Sequence, residues 1–375
     1  MGIKAVIIDD GVYSDSFIDE RFINEDFIQT PNISMRLQVM EDNTIVEDNS
    51  EAYLSHGTLC ASVIGDLSPN SEFISIKVLD EQGQGYSAQL VCALEWCLEN
   101  EIKLIHMSLG TTNYHDFSKV GTIINKLTQR DVIIVAAYSN MNIPSVPAHL
   151  PKVFGVRSDK DESLKNGEYF FDNSHNLREE NSMVAHYDKT GKINVGVSNS
   201  FAAPVITSHI LRLLNTNPNM KFKDILECLK ENQSNKKNKT QFCDYNNFEN
   251  MEIEIPIISI TADKIGTFEK IYNLFKAEEY TVEGFSLFIS ANENIVPLSL
   301  YTENKIDDGL IFILDRIYKA DIMLFEVDRS IKVDWGCADV QIEYSENEYI
   351  LKFADEDKKS KTIEELFISL KEYFS

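Results

Sequence analysis

EFISIKVLDEQGQGYSAQLVCALEWCLENEIKLIHMSLG, residues 72–110, holds a strand, a loop, a helix and a second strand in one run. EFISIKVL (72–79) is an apolar run of strand length, SAQLVCALEWCLENE (87–101) repeats its apolar residues at helical spacing, and KLIHMSLG (103–110) returns to the strand pattern. Two strands joined through a helix run parallel, and strands covered on both faces read as continuous apolar runs. The unit recurs outward from this stretch, with AVIID (5–9) before it and VGTIINKLTQR (120–130) and DVIIVAAYSN (131–140) after it. The expected fold class is α/β, a doubly wound and mostly parallel sheet. Its functional residues then belong at the carboxyl ends of the strands.

The polar stretch KENQSNKKNKTQ (230–241) breaks the pattern and reads as a surface loop. IEIPIISIT (253–261) and TFEKIYNLFKAEEY (267–280) then start a second series, continued by DIMLFEVD (321–328) and VQIEYSENEYILKF (340–353) and closed by TIEELFISLKEYFS (362–375). The sequence predicts one domain over 1–249 and a smaller α/β or α+β domain over 250–375. Residues 251–375 hold 26 Asp/Glu against 13 Lys/Arg, so half of the net charge of −25 sits on the last third of the chain. The strand–loop–helix that opens this domain resembles a P-loop unit in outline, with Gly266-Thr267 present and an acidic strand end in DIMLFEVD. The GxxxxGK[ST] cradle is not met and no lysine precedes Thr267, so the expectation is a degenerate scaffold that binds substrate or partner. Trp335 and Cys337 are expected to pack locally.

A hydrophobic content of 43% over 375 residues supports a buried core, while the acidic balance excludes nucleic acid and anionic membrane surfaces as partners. The six cysteines (Cys60, Cys92, Cys97, Cys228, Cys243, Cys337) show no CxxC pair or metal-type spacing, so no metal site and no disulfide framework is expected. MGIKAVIIDDG enters a strand directly without a secretory signal, and no apolar run reaches the ~20 residues that span a bilayer. A cytoplasmic protein is the expectation.

Three further segments carry reactive side chains: AVIIDDGV (5–12) ends a strand in a carboxylate, SHGTLCASVIG (55–65) sets His56 before small residues, and GVSNSFAAPVIT (196–207) opens a helix near Ser200. Singly, Asp9 reads equally as a turn former, His56 as a cap or core residue, and Ser200 as an N-terminal cap with Pro204 in the first turn. Together, in order and in local sequence, they resemble the Asp…His…Ser arrangement of the subtilisin-like serine proteases, the subtilases, over roughly residues 3–215. His56-Gly57-Thr58 with Ala61, Ser62 and Val63 meets the family's histidine motif, and Ser200, Ala202 and Pro204 meet its serine motif.

The resemblance implies a triad in which Ser200 is the nucleophile, His56 the general base and Asp9 the group that orients the imidazole. It implies an oxyanion hole at Asn140, joined by Asn199, and a peptide substrate added as a strand between Gly83-Gln84-Gly85 and Ser108-Leu109-Gly110. No cofactor is expected; the family often uses calcium, but no acidic loop of this chain matches a calcium site. Three departures stand out. Asp9-Asp10-Gly11 replaces Asp-Ser/Thr-Gly, with Asp10 expected in solvent; Ser198-Asn199-Ser200 replaces Gly-Thr-Ser; and Ser139 replaces a glycine. With no room for a pro-domain before the first strand, the chain resembles the cytosolic members, including those that trim ribosomally made precursor peptides. The expected function is a serine endopeptidase of narrow specificity, such as leader-peptide removal. The alternative is a subtilase-fold peptide-binding module of weak or absent activity. Oligomeric state is not readable from the sequence.

Overall fold

The computed structural model describes residues 2–14, 31–235 apart from 52, 142, 173–180 and 188–194, and 255–374 apart from 262–265, 289–291, 302–304, 307, 329–331, 334–337, 346 and 354–356. Trp335, Cys337 and Cys243 lie outside the described residues. The chain divides into two compact units, Met1–Phe242 and Cys243–Ser375.

The first unit is built on a sheet of nine strands: β1 (Lys4–Asp9), β2 (Asn32–Val39), β3 (Ile45–Glu47), β4 (Glu72–Lys77), β5 (Leu104–Met107), β6 (Ile133–Ala137), β7 (Val153–Ser158), β8 (Tyr169–Phe171) and β9 (Ser182–Ala185). Their spatial order is β3-β2-β4-β1-β5-β6-β7-β9-β8. All neighbours are parallel except the two edge strands β3 and β8. Helices α1 (His56–Leu67), α2 (Ser87–Glu99), α3 (Tyr114–Gln129), α4 (Asn199–Thr216) and α5 (Phe222–Glu231) connect or flank these strands. The period-2 alternation of β1 sends Ala5 and Ile7 to one core with α1, α4 and α5, and Val6 and Ile8 to the other with α2 and α3. This is double winding, and each fully buried aliphatic side chain contributes about 1.5–3 kcal/mol to it.

Strand β1 lies at the centre, between β4 and β5, and its carboxyl end reaches the edge where α1 begins. Val78 N and Leu79 N both donate to Asp9 O, at 2.9 and 3.3 Å, so the chain leaving β4 is tied to the same point.

The second unit contains a seven-stranded sheet in which β10 (Ile257–Thr261), β11 (Val282–Ser286), β12 (Ile295–Pro297), β14 (Ile322–Val327) and β16 (Val340–Ser345) are parallel, and β17 (Glu348–Lys352) and β18 (Asp357–Ser360) fold back antiparallel. A separate two-stranded pair joins β13 (Lys305–Ile306) and β15 (Lys332–Val333). Helices α6 (Thr267–Ala277) and α8 (Ile363–Phe374) pack into one core with this sheet, and α7 (Asp308–Tyr318) precedes β14. Strand β14 is the direct parallel neighbour of β10, and Gly266, at φ +85°, caps α6. The cradle positions 262–265 lie outside the described residues. Glu326, the acid of β14, accepts the hydroxyl of Ser286, and burial raises its carboxyl above the ordinary range.

Candidate active site

The end of β1 and the start of α1 meet through two glycine-dependent contacts. Gly11 adopts φ +109°, and a Cβ on Gly57 would lie 2.4 Å from Gly11 O and 3.1 Å from Asp9 Cβ. A glycine after the histidine is therefore what lets the first turn of α1 rest on the strand end. Ser55 caps α1 by accepting from Thr58 N at 3.0 Å, and its own hydroxyl donates to Gly11 O at 2.7 Å.

That contact presents His56 to Asp9. Nδ1 lies 2.9 Å from Asp9 Oδ2 and 3.0 Å from Oδ1, with Asp9 only 1% exposed. An Nδ1–H donated to the carboxylate leaves the Nε2 lone pair as the base. The Cys60 sulfur, 4.0 Å from both ring nitrogens, and the Asp9 carboxylate hold the imidazolium form well above the ordinary histidine range, while burial acts the other way. Asp9, His56 and Cys60 are the one group of donor atoms among the described residues close enough to share an ion, all within 4.8 Å. Nδ1 is already engaged by Asp9, and a sulfur equidistant from both nitrogens is not in line with the lone pair of Nε2. The group is a hydrogen-bonded pair packed on a thiol, not an ion cage.

Asp10 does not lie in solvent as its sequence position suggested. It is 6% exposed, and its Oδ1 and Oδ2 accept from Gly57 N at 2.8 Å and His56 N at 3.0 Å. These are the first two N–H groups of α1, which have no partner within a helix, and a carboxylate satisfies them together with the helix dipole.

Ser200 is the second residue of α4, half-buried, and the Phe201 ring beside it lies 5.3 Å from that of His56, centre to centre. Among the described residues Ser200 Oγ makes one hydrogen bond, to Ser108 O at 3.5 Å, and none to His56; contacts between a nucleophile and its base are often long without substrate and tighten when it binds. Because α4 starts at Asn199, Pro204 is its sixth residue and not part of the first turn. Its missing N–H would have served Ser200 O, four residues back. Ser108 Oγ donates to that carbonyl instead, at 2.7 Å, with the Cys60 thiol 3.6 Å away.

His106 completes this arrangement and was not singled out by its sequence context. It is fully buried on β5, with Nε2 3.0 Å from Ser108 Oγ and Nδ1 2.8 Å from Thr207 Oγ1. Ser108 gives its proton to Ser200 O, so His106 Nε2–H donates to Ser108, while Nδ1 faces a Thr207 hydroxyl that also lies 3.2 Å from Ala203 O. Burial pulls the His106 pKa down to about 4 and keeps the ring neutral for this relay. The polar residue inside the apolar IHMSL run was the available signal.

Asn140 lies at an exposed turn, and its Oδ1 accepts from Asn199 N at 3.2 Å. Its Nδ2 and the N–H of Ser200 have no partner among the described residues, and both stand at the positive end of α4. Asn199 departs from the expected role of oxyanion donor. Its Oδ1 accepts from Ser158 N and Oγ at 2.9 and 3.1 Å, and its Nδ2 donates to Tyr138 O and Ser139 O, both at 3.1 Å. With both amide hydrogens engaged and the residue 4% exposed, the side chain clamps the ends of β6 and β7 to α4. Its backbone N–H anchors Asn140.

The two expected substrate segments both lie at the carboxyl edge of the sheet. Gly83 and Gln84 occupy a tight turn in which Asp80 Oδ1 accepts from Gln82 N and Gln84 N at 2.9 and 2.8 Å. A Cβ on Gly85 would lie 2.3 Å from Val78 O. Ser108 touches Ser200 directly, Leu109 packs on the α2–α3 core, and Gly110 approaches Val146 O so closely that a Cβ would lie 2.6 Å from it.

A carboxylate-oriented histidine beside a serine at a helix N-terminus is the chemistry of serine hydrolases that work through a covalent acyl intermediate. The profile of the subtilase family matches residues 1–247, and the chain belongs to that family. It is 31% identical over 94 residues to the minor extracellular protease Epr of Bacillus subtilis, covering 23% of this chain and 14% of that protein. It is 30% identical over 112 residues to the thermostable alkaline protease of Halalkalibacterium halodurans, covering 27% of this chain and 30% of that protein. The chain thus spans under a third of the length of either relative. A solved cold adapted subtilisin-like serine proteinase overlaps 64% of this chain and 85% of its own, at a TM-score of 0.46 and 17% identity.

Proposed function

We propose that the first unit is a serine endopeptidase that cleaves peptides through Asp9, His56 and Ser200. The observation that carries this reading is the pairing of His56 Nδ1 with the buried Asp9 carboxylate at 2.9 Å, at the sheet edge that also receives the N-terminus of α4. In this mechanism His56 Nε2 takes the Ser200 proton as Oγ attacks the carbonyl, then returns it to the leaving amine. The Ser200 N–H and Asn140 Nδ2 receive the oxyanion; loss of one side-chain donor of this kind costs about 10²–10³ in rate in subtilisin. Water then releases the acyl group by the reverse sequence.

The substrate class we assign is a peptide, held along Gly83–Gly85 and Ser108–Gly110, with narrow specificity of the kind that matures a precursor. The charge of −25 supports cationic segments near the cut. Free thiols at Cys60, Cys92, Cys97 and Cys228 support a reducing, cytoplasmic compartment. No helix among the described residues is long and apolar enough to cross a membrane. The second unit is assigned a role in binding substrate or partner. The missing Ser200–His56 hydrogen bond favours one second reading, a peptide-binding module with little activity.

The test is mass spectrometry of a peptide library rich in Lys and Arg, incubated with the wild-type chain and with Ser200→Ala. Products from the wild type alone support the peptidase; intact peptides in both samples favour the binding module.

A further inference from the structure

Two adjacent residues of β1 and its exit grip His56 from two sides. Asp9 holds the imidazole, and Asp10 holds the backbone N–H of the same residue at 3.0 Å and of Gly57 at 2.8 Å. The two carboxylates are themselves fixed to each other, since Asp10 N donates to Asp9 Oδ1 at 2.9 Å. Tyr53 Oη donates to Asp10 O at 3.0 Å from the segment before α1. Strand end and helix start, 46 residues apart in sequence, are thereby welded at the point where the base must be aimed.

We propose that Asp10 is a positioning residue for the peptidase reaction: its carboxylate caps α1 from outside the helix, fixes the His56 backbone against Asp9, and adds a second negative charge that sustains the His56 imidazolium. The proposal rests on the peptidase reading for its effect on rate, but its effect on His56 is independent of that reading.

The chemistry follows from what an ionised carboxylate can do. It accepts at both oxygens, so it satisfies the first two orphan N–H groups of α1 at once, while Ser55 satisfies the third. A protonated carboxyl, or an amide, presents one acceptor and one donor, and one of the two N–H groups then faces a donor. Burial, and next the Asp9 charge, push the Asp10 pKa up to about 6, so the cap begins to fail at mildly acidic pH. A carboxyl raised above its unfolded value weakens the fold as pH rises through the interval between the two values. The charge is nevertheless retained at neutral pH through its N–H partners.

The titratable and charged groups around Asp10 come from each neighbouring element: Asp9 on β1, His56 and Cys60 on α1, Tyr13 after β1, and Tyr53 before α1. Behind the tyrosines stand Arg36 on β2, 4.3 Å from the Tyr13 ring centre, with Asp48 bonded to it, and Lys77 on β4, 5.5 Å from the Tyr53 ring centre. Glu81 adds a further negative charge toward Tyr53.

The test uses the full chain with Asp10→Asn and, as a neutral control at the same helix end, Ser55→Ala. The His56 imidazole is titrated by NMR, its resonance assigned by loss in His56→Ala. Asp10→Asn should lower the His56 titration midpoint by about one pH unit or more, the size of one neighbouring charge removed. Ser55→Ala removes a cap without a charge and should leave the midpoint within a few tenths of a unit. An unchanged midpoint in Asp10→Asn, or an equal shift in both variants, overturns the proposal. Should Asp10→Asn unfold, Asp10→Ser is titrated against the same control. In parallel, the rate of Ser200 labelling by a fluorophosphonate should fall several-fold on its plateau in Asp10→Asn, with its acid limb moved to lower pH. Labelling absent from the wild type refutes the peptidase reading while the NMR midpoints still decide the role of Asp10.

Discussion

Ser108→Ala is the perturbation that most sharply tests how the helix that carries Ser200 is held. Pro204 supplies no N–H to Ser200 O, and Ser108 Oγ occupies that role at 2.7 Å. Without the hydroxyl, Ser200 O keeps only the Cys60 thiol at 3.6 Å, and His106 Nε2–H, buried, loses its acceptor. At about 1–3 kcal/mol for each buried polar group left unpaired, the variant should lose about 2–4 kcal/mol. Pro204→Ala returns an N–H to the helical ladder at the carbonyl that Ser108 serves. In that background the cost of Ser108→Ala should drop, giving a coupling of about 1–2 kcal/mol in a double-mutant cycle. Equilibrium urea unfolding of the four chains, read through Trp96 fluorescence with Trp335 replaced by Phe, reports the first unit. Equal costs in the two backgrounds, or a loss below about 0.5 kcal/mol, would refute the reasoning.

Two more outcomes follow from the same geometry. Asn199→Ala removes four hydrogen bonds at once and should destabilise the first unit by about 3 kcal/mol or more, while Asn199→Thr, with one hydroxyl, recovers only part of this in the same urea assay. Cys60→Ala removes the largest cause of the raised His56 value, so the acid limb of Ser200 labelling should move to lower pH, with the Asp9 pair still holding it above the ordinary histidine value. The His56 pair contributes fully to stability below the ordinary value and loses its contribution as pH rises through the raised folded value, a window that Cys60→Ala should narrow.

The sequence carried the central sheet because β1, β4, β5 and β6 are short β-branched runs covered on both faces, a pattern that needs no knowledge of partners. The edge strands were not legible in the same way. NISMRLQV, which forms β2 next to the edge strand β3, alternates polar and apolar residues strictly and is only part-buried along most of its length, so it carries the mark of a half-exposed strand and not the continuous apolar run of the central strands. Asp9, His56 and Ser200 were legible through their small neighbours, and Gly57 shows why: its missing Cβ makes the strand–helix contact fit. Asp10 was misread because a carboxylate is ordinarily exposed unless partnered, and its partners are N–H groups of a helix 46 residues away. Asn199 was misassigned for a similar reason, since its saturation depends on Tyr138, Ser139 and Ser158. The purpose of Pro204 became visible only once α4 was seen to begin at Asn199, which put Ser200 O opposite the absent N–H.

Active-site labelling with a fluorophosphonate tests the central claim most directly. Incubation of the wild-type chain, followed by peptide mapping, should place one phosphonyl group on Ser200, with labelling abolished in His56→Ala and in Ser200→Ala. Labelling that survives His56→Ala at an undiminished rate, or a wild-type chain that takes up no reagent, would contradict the claim that His56, held by Asp9, activates Ser200.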